Sequence, residues 1–467
     1  MWKFLYLLFF LGLPFLLRAQ DTQLTIQEIL IEGNKKTKDR IILRELDFVI
    51  GDSIALTQLS QIIEKNRLQV LNTGLFTQVQ INVKEWDTEN NNLSILLTVT
   101  ESWYIYPFPV FELAERNFNV WWSEQNRSLD RINYGLRFYY LNISGRRDLL
   151  KLVTQFGYTQ KYELAYRLPF FNKAQNLGFS TEMLYARNKE VAYQTIDNKL
   201  AFNRSEEDFL LQRFRAGIGL NYRPAIFARH QLKINFQQNK ITDFVATELN
   251  PDFLLGGRRQ QRFFSLIYRF TYDRRDIQAY PLAGNYFAAQ FRQRGLGIYQ
   301  DINDSSILLG GAQYFATATK RWSLGFVAKG RVAITRQKQA YYNTRALGYD
   351  DDYIRGYELY VIDGIDYAYL KTSLRYQLWN RPFNFGKYML IKALRVMPLK
   401  VYLTINSDIA YVNDPYYATA NPLTNEMLWG GGLGLDFVLY YDKVIQIEYS
   451  RNHLNEFGLF LHFKLSF

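Results

Sequence analysis

The sequence ends in LFLHFKLSF, residues 459–467, and this stretch decides the fold class. Counting back from the last residue, apolar side chains alternate with polar ones, and only Phe460 breaks the alternation. The apolar face carries Leu459, Leu461, Phe463, Leu465 and Phe467. Because successive side chains of a strand point to opposite faces, the stretch predicts a β-strand with one apolar face.

Upstream, from Trp103 onward, the sequence divides into short alternating segments separated by turn residues. Examples are residues 132–140, 149–156, 177–185, 214–222, 232–236, 263–272, 286–291, 401–405 and 433–439. About 9 to 11 residues is the length that a tilted strand needs to cross a bilayer. We therefore predict that residues 103–467 form an all-β transmembrane antiparallel barrel of about 16 strands. A soluble sandwich or propeller also has many short strands, so periodicity alone leaves that alternative open.

The composition favours the barrel. The chain has 35 Tyr, 35 Phe and 8 Trp, which make it 17% aromatic, yet its mean hydropathy is −0.23. Barrel strands alternate lipid-facing and lumen-facing residues, so they average to a mildly polar chain with many aromatic residues at the membrane interfaces. Beyond Leu17 no apolar run is long enough for a helical span. Cysteine is absent, which excludes disulfides, thiolate metal sites and thiol nucleophiles.

The first residues have the features of a secretory signal. Lys3 precedes an apolar run over residues 4–17, and the small residue Ala19 stands before Gln20. We predict a signal peptide over residues 1–19, with an uncleaved anchor as the alternative. For an exported chain, the net charge of +12 indicates contact with anionic lipid head groups and not with nucleic acid. The other interpretation is that Lys and Arg are distributed along the rims and lumen of the barrel and bind no partner.

Residues 24–102 lack the aromatic enrichment and form a separate domain with a boundary near Ser102. The pattern predicts the order β-α-α-β-β. Thr37 is expected to cap a short first helix, Thr57 to start a second one, and Gly74 to end it. This α+β unit precedes the barrel.

The domain resembles the polypeptide-transport-associated (POTRA) family. The resemblance rests on a strand that ends in a glycine-asparagine turn and on a helix that ends in Gly-Leu-Phe, with the matching positions Ile26, Ile29, Ile31, Gly33, Asn34, Gly74, Leu75, Phe76 and Val79. It implies a periplasmic POTRA domain over residues 22–102. An unrelated small α+β domain is the alternative.

Stretches of the barrel resemble the outer-membrane assembly-factor superfamily that includes BamA, TamA and the two-partner secretion transporters. One is a mid-barrel motif of Asp273, Arg275, Asp276, Pro281 and Gly284, similar to the family's strand, turn and re-entering strand. Pro281 and Gly284 predict a tight turn between antiparallel strands. The closing Leu461, Phe463, Leu465 and Phe467 resemble the carboxy-terminal signal that such barrels present for assembly.

A second motif, Ile354-Arg355-Gly356-Tyr357, resembles the VRGY/F tip of the long loop that folds into the lumen of this family. The resemblance implies that Arg355 pairs with Asp408 on a later strand. Ser373 and Arg375 stand where the family often carries an acid, so we expect one acidic partner only. A solvated external loop is the alternative. The glycine-rich stretch 430–437 permits the close passage of another backbone.

The resemblance implies a factor that inserts or translocates polypeptides at the cell outer membrane, with its N-terminal domain in the periplasm. Its partners would be unfolded client polypeptides, outer-membrane lipids and periplasmic or surface accessory proteins, without nucleic acid, cofactor or metal. The seam would join a first strand near residues 108–113, where Pro107 and Pro109 interrupt pairing, to the last strand. A passive or plugged channel is the alternative function. We expect no enzymatic activity, although a lipase-like site at His453 is a third possibility.

Overall fold

The structure is a computed structural model that describes residues 22–114, 118–349, 352–388, 395–439 and 443–464. The expected signal peptide, Leu465 and Phe467 lie outside these ranges. No helix in the described ranges has the length and apolar character to cross a membrane.

The N-terminal domain packs two helices against a four-stranded sheet. Its elements are β1 Gln23–Glu32, α1 Asp39–Leu43, β2 Ser53–Ala55, α2 Leu59–Leu71, β3 Phe76–Asp87 and β4 Asn92–Glu101. The sheet order is β2-β1-β4-β3, with β1 parallel to β4. The predicted α+β order is confirmed, with the short β2 added between the helices. Alternate side chains of the central strands, including Leu24, Ile26, Ile95 and Leu97, form the core.

Two helix starts differ from the prediction. Lys38, not Thr37, is the N-cap of α1, and it makes no side-chain capping bond. The Thr37 hydroxyl instead lies 2.9 Å from the Tyr104 hydroxyl, which joins the domain to the barrel. A single 3-10 turn, Leu56–Gln58, precedes α2, so the helix proper begins at Leu59.

The remainder of the chain forms a 16-stranded antiparallel sheet, as predicted. In chain order the elements are β5 Ile105–Leu113, α3 Phe118–Ser123, β6 Ile132–Leu141, β7 Leu149–Gly157, β8 Thr159–Leu168, β9 Leu177–Asn188, β10 Glu190–Ile196, β11 Lys199–Arg204, β12 Leu211–Tyr222, β13 Ala228–Ile241, β14 Gln260–Asp273, β15 Gly284–Arg294, β16 Asp304–Ala316, β17 Trp322–Ala333, β18 Arg345–Leu347, β19 Ile362–Asp363, β20 Asp366–Asn384, β21 Val396–Asn413, β22 Met427–Val438, β23 Val444–Asn452 and β24 Phe457–Lys464. The pairs β10–β11 and β18–β19 form separate two-stranded sheets.

Side-chain alternation gives the sheet one apolar face and one polar face. Along β21, Ile405 and Ile409 are exposed, whereas Thr404, Asn406 and Asp408 are buried. This is the pattern of a sheet whose outer face meets hydrocarbon and whose inner face lines a polar lumen.

The N-terminal domain is docked against one end of the barrel, which we call the near end. Arg223, after β12, donates to Glu45 at 2.7 Å, and both side chains are buried. Asn72 donates to the carbonyl oxygen of Asp276 in the β14–β15 connection at 3.1 Å. Phe170, from the β8–β9 connection, packs into the core of the domain. These contacts span connections from the first half of the barrel and fix the domain beneath it.

Candidate functional site

The connection from β17 to β20 turns back into the barrel from the far end, opposite the N-terminal domain. Its tip carries Ile354, Arg355, Gly356 and Tyr357, and all four residues are buried. We call residues 334–365 the lumen loop. An external solvated loop would leave this tip exposed, so that alternative does not describe the fold.

Arg355 is held by two carboxylates of the barrel wall. Its Nη1 donates to Asp408 at 2.6 Å, its backbone N–H donates to the same carboxylate at 3.2 Å, and its Nε donates to Glu448 at 3.0 Å. The expectation of a single acidic partner is therefore wrong. Asp408 is fully buried and Glu448 is 3% exposed, so each charge depends on the guanidinium for compensation.

Glu448 could have been recognised from strand periodicity. In the stretch 445–449, Ile445, Ile447 and Tyr449 alternate with Gln446 and Glu448. If the apolar residues face lipid, Glu448 must face the lumen. What the periodicity does not give is the position of β23 beside the loop tip, because that depends on closure of the whole sheet.

Two glycines let the tip lie against the backbone of β22 and β23. Gly356 has φ +80, and a Cβ there would come within 2.8 Å of the Arg451–Asn452 peptide. A Cβ at Gly430 would overlap the carbonyl oxygen of Arg355. Asn452 donates to the carbonyl oxygen of Gly356 at 2.8 Å, so this buried backbone acceptor at the tip is satisfied.

Further contacts tie the tip to the last strands. The Tyr357 hydroxyl donates to the carbonyl oxygen of Trp429 at 3.1 Å and also contacts His453 Nδ1. Tyr353 stacks on His462 of β24 with ring centroids 4.5 Å apart. The lumen loop therefore contacts all three of the last strands, β22, β23 and β24.

Glu358 is a buried acid of the lumen loop. It is 3% exposed, and its Oε1 lies 3.6 Å from His462 Nε2. Burial raises the pKa of Glu358 to about 8, because transfer out of water penalises the charged form. The neutral acid is thus the favoured form near pH 7.

A second plug at the far end comes from the β10–β11 hairpin, which the sequence analysis missed. Asn198 at its tip donates to the carbonyl oxygen of Val361 at 3.2 Å and accepts from the Leu423 N–H at 2.8 Å. Thr195 donates to Asp363 at 2.5 Å. The available signal was Asp197-Asn198, since both residues have positive φ and such pairs favour tight hairpins.

The mid-barrel motif covers the lumen at the near end. Arg275 donates to both carboxylate oxygens of Asp273, at 2.8 and 2.7 Å, and Asp276 accepts the Leu282 N–H at 3.0 Å. The predicted tight turn before Gly284 is wrong, because residues 274–283 form a longer connection that folds under the lumen. Local hydrogen bonds, not turn geometry, give this connection its shape.

The connection is held from inside the barrel. The Tyr280 hydroxyl donates to Asp436 at 2.8 Å, and Arg375 donates to the carbonyl oxygen of Pro281 at 2.6 Å. Arg375, which stood at an unexpected position in the sequence, therefore anchors the near-end cover.

The first and last strands form a seam. β5 and β24 are the two ends of the 16-stranded order, and no ladder joins them among the residues that the structure describes. Pro107 and Pro109 lie within β5, opposite Phe138 and Leu136 of β6. Proline has no N–H to donate, which weakens pairing of this strand. On β24, Leu461 and Phe463 lie opposite Ile447 and Ile445 of β23.

Comparison with known proteins agrees with this architecture. The POTRA family, described as "Surface antigen variable number repeat", matches residues 24–102. No curated protein sequence matches the chain.

Two solved structures share the fold. BamA from Haemophilus ducreyi lacking POTRA domains 1–3 is 13% identical, with a TM-score of 0.55 over 94% of this chain and 84% of that one. CdiB from Escherichia coli is 13% identical, with a TM-score of 0.56 over 94% of this chain and 75% of that one. The chain thus has the fold of the BamA and CdiB structures, with a POTRA domain at residues 24–102 joined to a 16-stranded barrel.

Proposed function

We propose that the protein inserts or translocates client polypeptides at the outer membrane, with its barrel in the bilayer and its POTRA domain in the periplasm. The observation that carries this proposal is the seam between β5 and β24 beside a docked POTRA domain. Among the described residues β5 pairs with β6 on one side only. Its other edge offers backbone donors and acceptors to an incoming strand, and such an open edge is costly in a bilayer unless it is paired.

The POTRA domain supplies a surface for the capture of clients. β3 is an edge strand of its sheet, and its second half, from Val83 to Asp87, is exposed. An extended client segment can add to such an edge through main-chain hydrogen bonds with little demand on sequence. Clients of unrelated sequence are therefore the expected partners.

The lumen plugs argue against a permanently open pore. The lumen loop and the β10–β11 hairpin enter from the far end, and residues 274–283 cover the near end. Under the alternative function, a plugged channel, these segments would move to pass a solute through the lumen. Under the proposed function the client uses the seam, and the plugs stay in place.

Cross-linking the seam separates the two functions. Because the chain has no cysteine, pairs of cysteines scanned along β5 and β24 give disulfides without background. In proteoliposomes, we expect the oxidised barrel to lose insertion of an unfolded outer-membrane client and the reduced barrel to retain it. Pairs placed across β6 and β7 are the control, because that ladder is already closed. Full insertion by a completely cross-linked seam would refute the proposal.

Depletion in cells tests the same function without purified components. Loss of the protein should lower the level of at least one outer-membrane barrel or surface protein, measured by proteomics of the outer-membrane fraction. An unchanged proteome would count against any assembly role. Large steady conductance of the wild-type protein in planar bilayers would favour the channel.

A further inference from the structure

The β20–β21 hairpin extends well beyond its neighbours at the near end. The ladder from β17 to β20 stops at Tyr376, and the ladder from β21 to β22 stops at Lys400. Among the described residues, 377–384 of β20 pair with β21 and no longer with β17, and 396–399 of β21 pair with β20 and not with β22. At about 3.3 Å per residue, the extension of β20 is roughly 26 Å long. We call residues 377–388 and 395–400 the near-end ribbon.

The outer face of the ribbon continues the lipid-facing surface of the barrel. Tyr376 lies opposite Leu403 at the last barrel position, and beyond a bulge the same face carries Trp379 opposite Val401 and Phe383 opposite Met397. Trp379 and Phe383 are each about half exposed, and Tyr388 is 86% exposed. Apolar and aromatic side chains exposed side by side indicate a surface that is covered in use.

The charges of the ribbon have one sign. Its cations are Arg381, Lys387, Arg395 and Lys400, and no Asp or Glu occurs in the sequence between Asp366 and Asp408. Aromatic rings beside cations suit a membrane interface, where rings lie at the head-group level and cations meet phosphate.

Paired prolines argue against a polypeptide occupant. Pro382 and Pro398 lie directly opposite each other in the ribbon. Each lacks the N–H that strand addition needs, so both edges of the ribbon are poor templates for a further strand. A lipid surface makes no such demand on the backbone.

We propose that the near-end ribbon binds the head groups of anionic phospholipids in the periplasmic leaflet, with its outer face lying on the membrane surface. The proposal uses the orientation of the barrel given above but not its activity in insertion. The ribbon would anchor β20, which directly follows the lumen loop, and β21, which carries the loop's partner Asp408.

The absence of cysteine allows a direct test. A nitroxide is attached at Met397→Cys, which lies opposite Phe383 on the outer face of the ribbon, and the full chain is reconstituted with phosphatidylcholine alone or with about 30% phosphatidylglycerol. A water-soluble nickel chelate on both sides of the bilayer reports exposure of the label. We expect phosphatidylglycerol to lower the collision rate at least fivefold, and about 0.5 M salt to reverse much of this protection by screening.

Matched variants give the control. Arg381→Gln with Arg395→Gln should raise the collision rate in phosphatidylglycerol toward its value in phosphatidylcholine, since each cation near such a surface contributes roughly a fivefold factor. Lys320→Gln with Arg321→Gln, in the neighbouring β16–β17 connection, should leave the protection intact. The heat-dependent gel mobility of the barrel verifies folding of each variant.

Three outcomes of the comparison between lipids and variants would overturn the proposal. They are equal protection in neutral vesicles, full exposure in both lipids, and equal loss of protection in the control variant. Protection in native outer-membrane vesicles but not in phosphatidylglycerol would assign the ribbon to a protein partner and would also overturn it. None of these readouts measures client insertion, so they fail or succeed independently of the proposed function.

Discussion

Removal of the Arg355 side chain should destabilise the barrel, because two buried carboxylates would then lack a compensating cation. In the structure, Arg355 is 10% exposed at its side chain, and Asp408 and Glu448 are 0% and 3% exposed. Breaking a buried pair on one side costs about 3 to 5 kcal/mol when the site is dry. Water that enters the lumen after the loop moves reduces this cost, so we expect about 3 kcal/mol for Arg355→Ala.

Urea unfolding in lipid vesicles, followed by tryptophan fluorescence, measures the free energy. Proteolysis of residues 334–365 reports release of the lumen loop, and we expect faster cleavage in Arg355→Ala. Arg355→Lys is the control for charge alone, because lysine retains the cation but cannot reach both acids with a planar fork. The free energy of unfolding of Arg355→Lys should lie between those of the wild-type protein and Arg355→Ala.

A combined variant tests the reasoning more sharply than any single change. Arg355→Met with Asp408→Asn and Glu448→Gln removes all three charges, so it should be more stable than Arg355→Ala. A loss below about 1 kcal/mol for Arg355→Ala would place the pair among weak surface pairs. A combined variant whose loss equals the sum of the single losses would also refute the argument.

Three other perturbations have defined outcomes. Gly430→Ala should lower the temperature at which the barrel loses its compact gel mobility, because the added Cβ overlaps a loop carbonyl oxygen, whereas Gly310→Ala meets open space and should be nearly neutral. Burial alone would raise the pKa of Glu45, but the hydrogen bond and charge of Arg223 outweigh burial and hold that pKa below its usual 4.5. Docking of the POTRA domain should therefore weaken as the pH falls below 4.5, and hydrogen exchange of residues 142–148 measures this loss. The variant Glu45→Gln should show no such pH dependence. The pKa of Glu358 is raised to about 8, so the folded state holds a proton that the unfolded chain has released and stability should fall as the pH rises from 4.5 to 8; Glu358→Gln should flatten that slope in urea titrations, and an unchanged slope would contradict the assignment.

Local periodicity was sufficient to predict the barrel and its N-terminal domain. Alternation in β21 and β24, the aromatic content and the Gly-Leu-Phe helix end each depend on residues close together in the chain, so they are visible without a fold. The same locality explains the errors. Thr37 satisfies the rule for a helix cap, but its hydroxyl lies next to Tyr104, a partner that sequence spacing does not reveal.

The alternation of residues already assigns side chains to the lumen or to lipid, because a strand has a period of two and a barrel has only two faces. Which of the lumen side chains meet one another depends on the folded sheet. Glu448 joins Asp408 around Arg355, Arg375 donates to the Pro281 carbonyl oxygen, and the β10–β11 hairpin enters the far end, because the curved sheet brings distant strands together. Such contacts depend on the register and curvature of all 16 strands, a global property that no local stretch encodes.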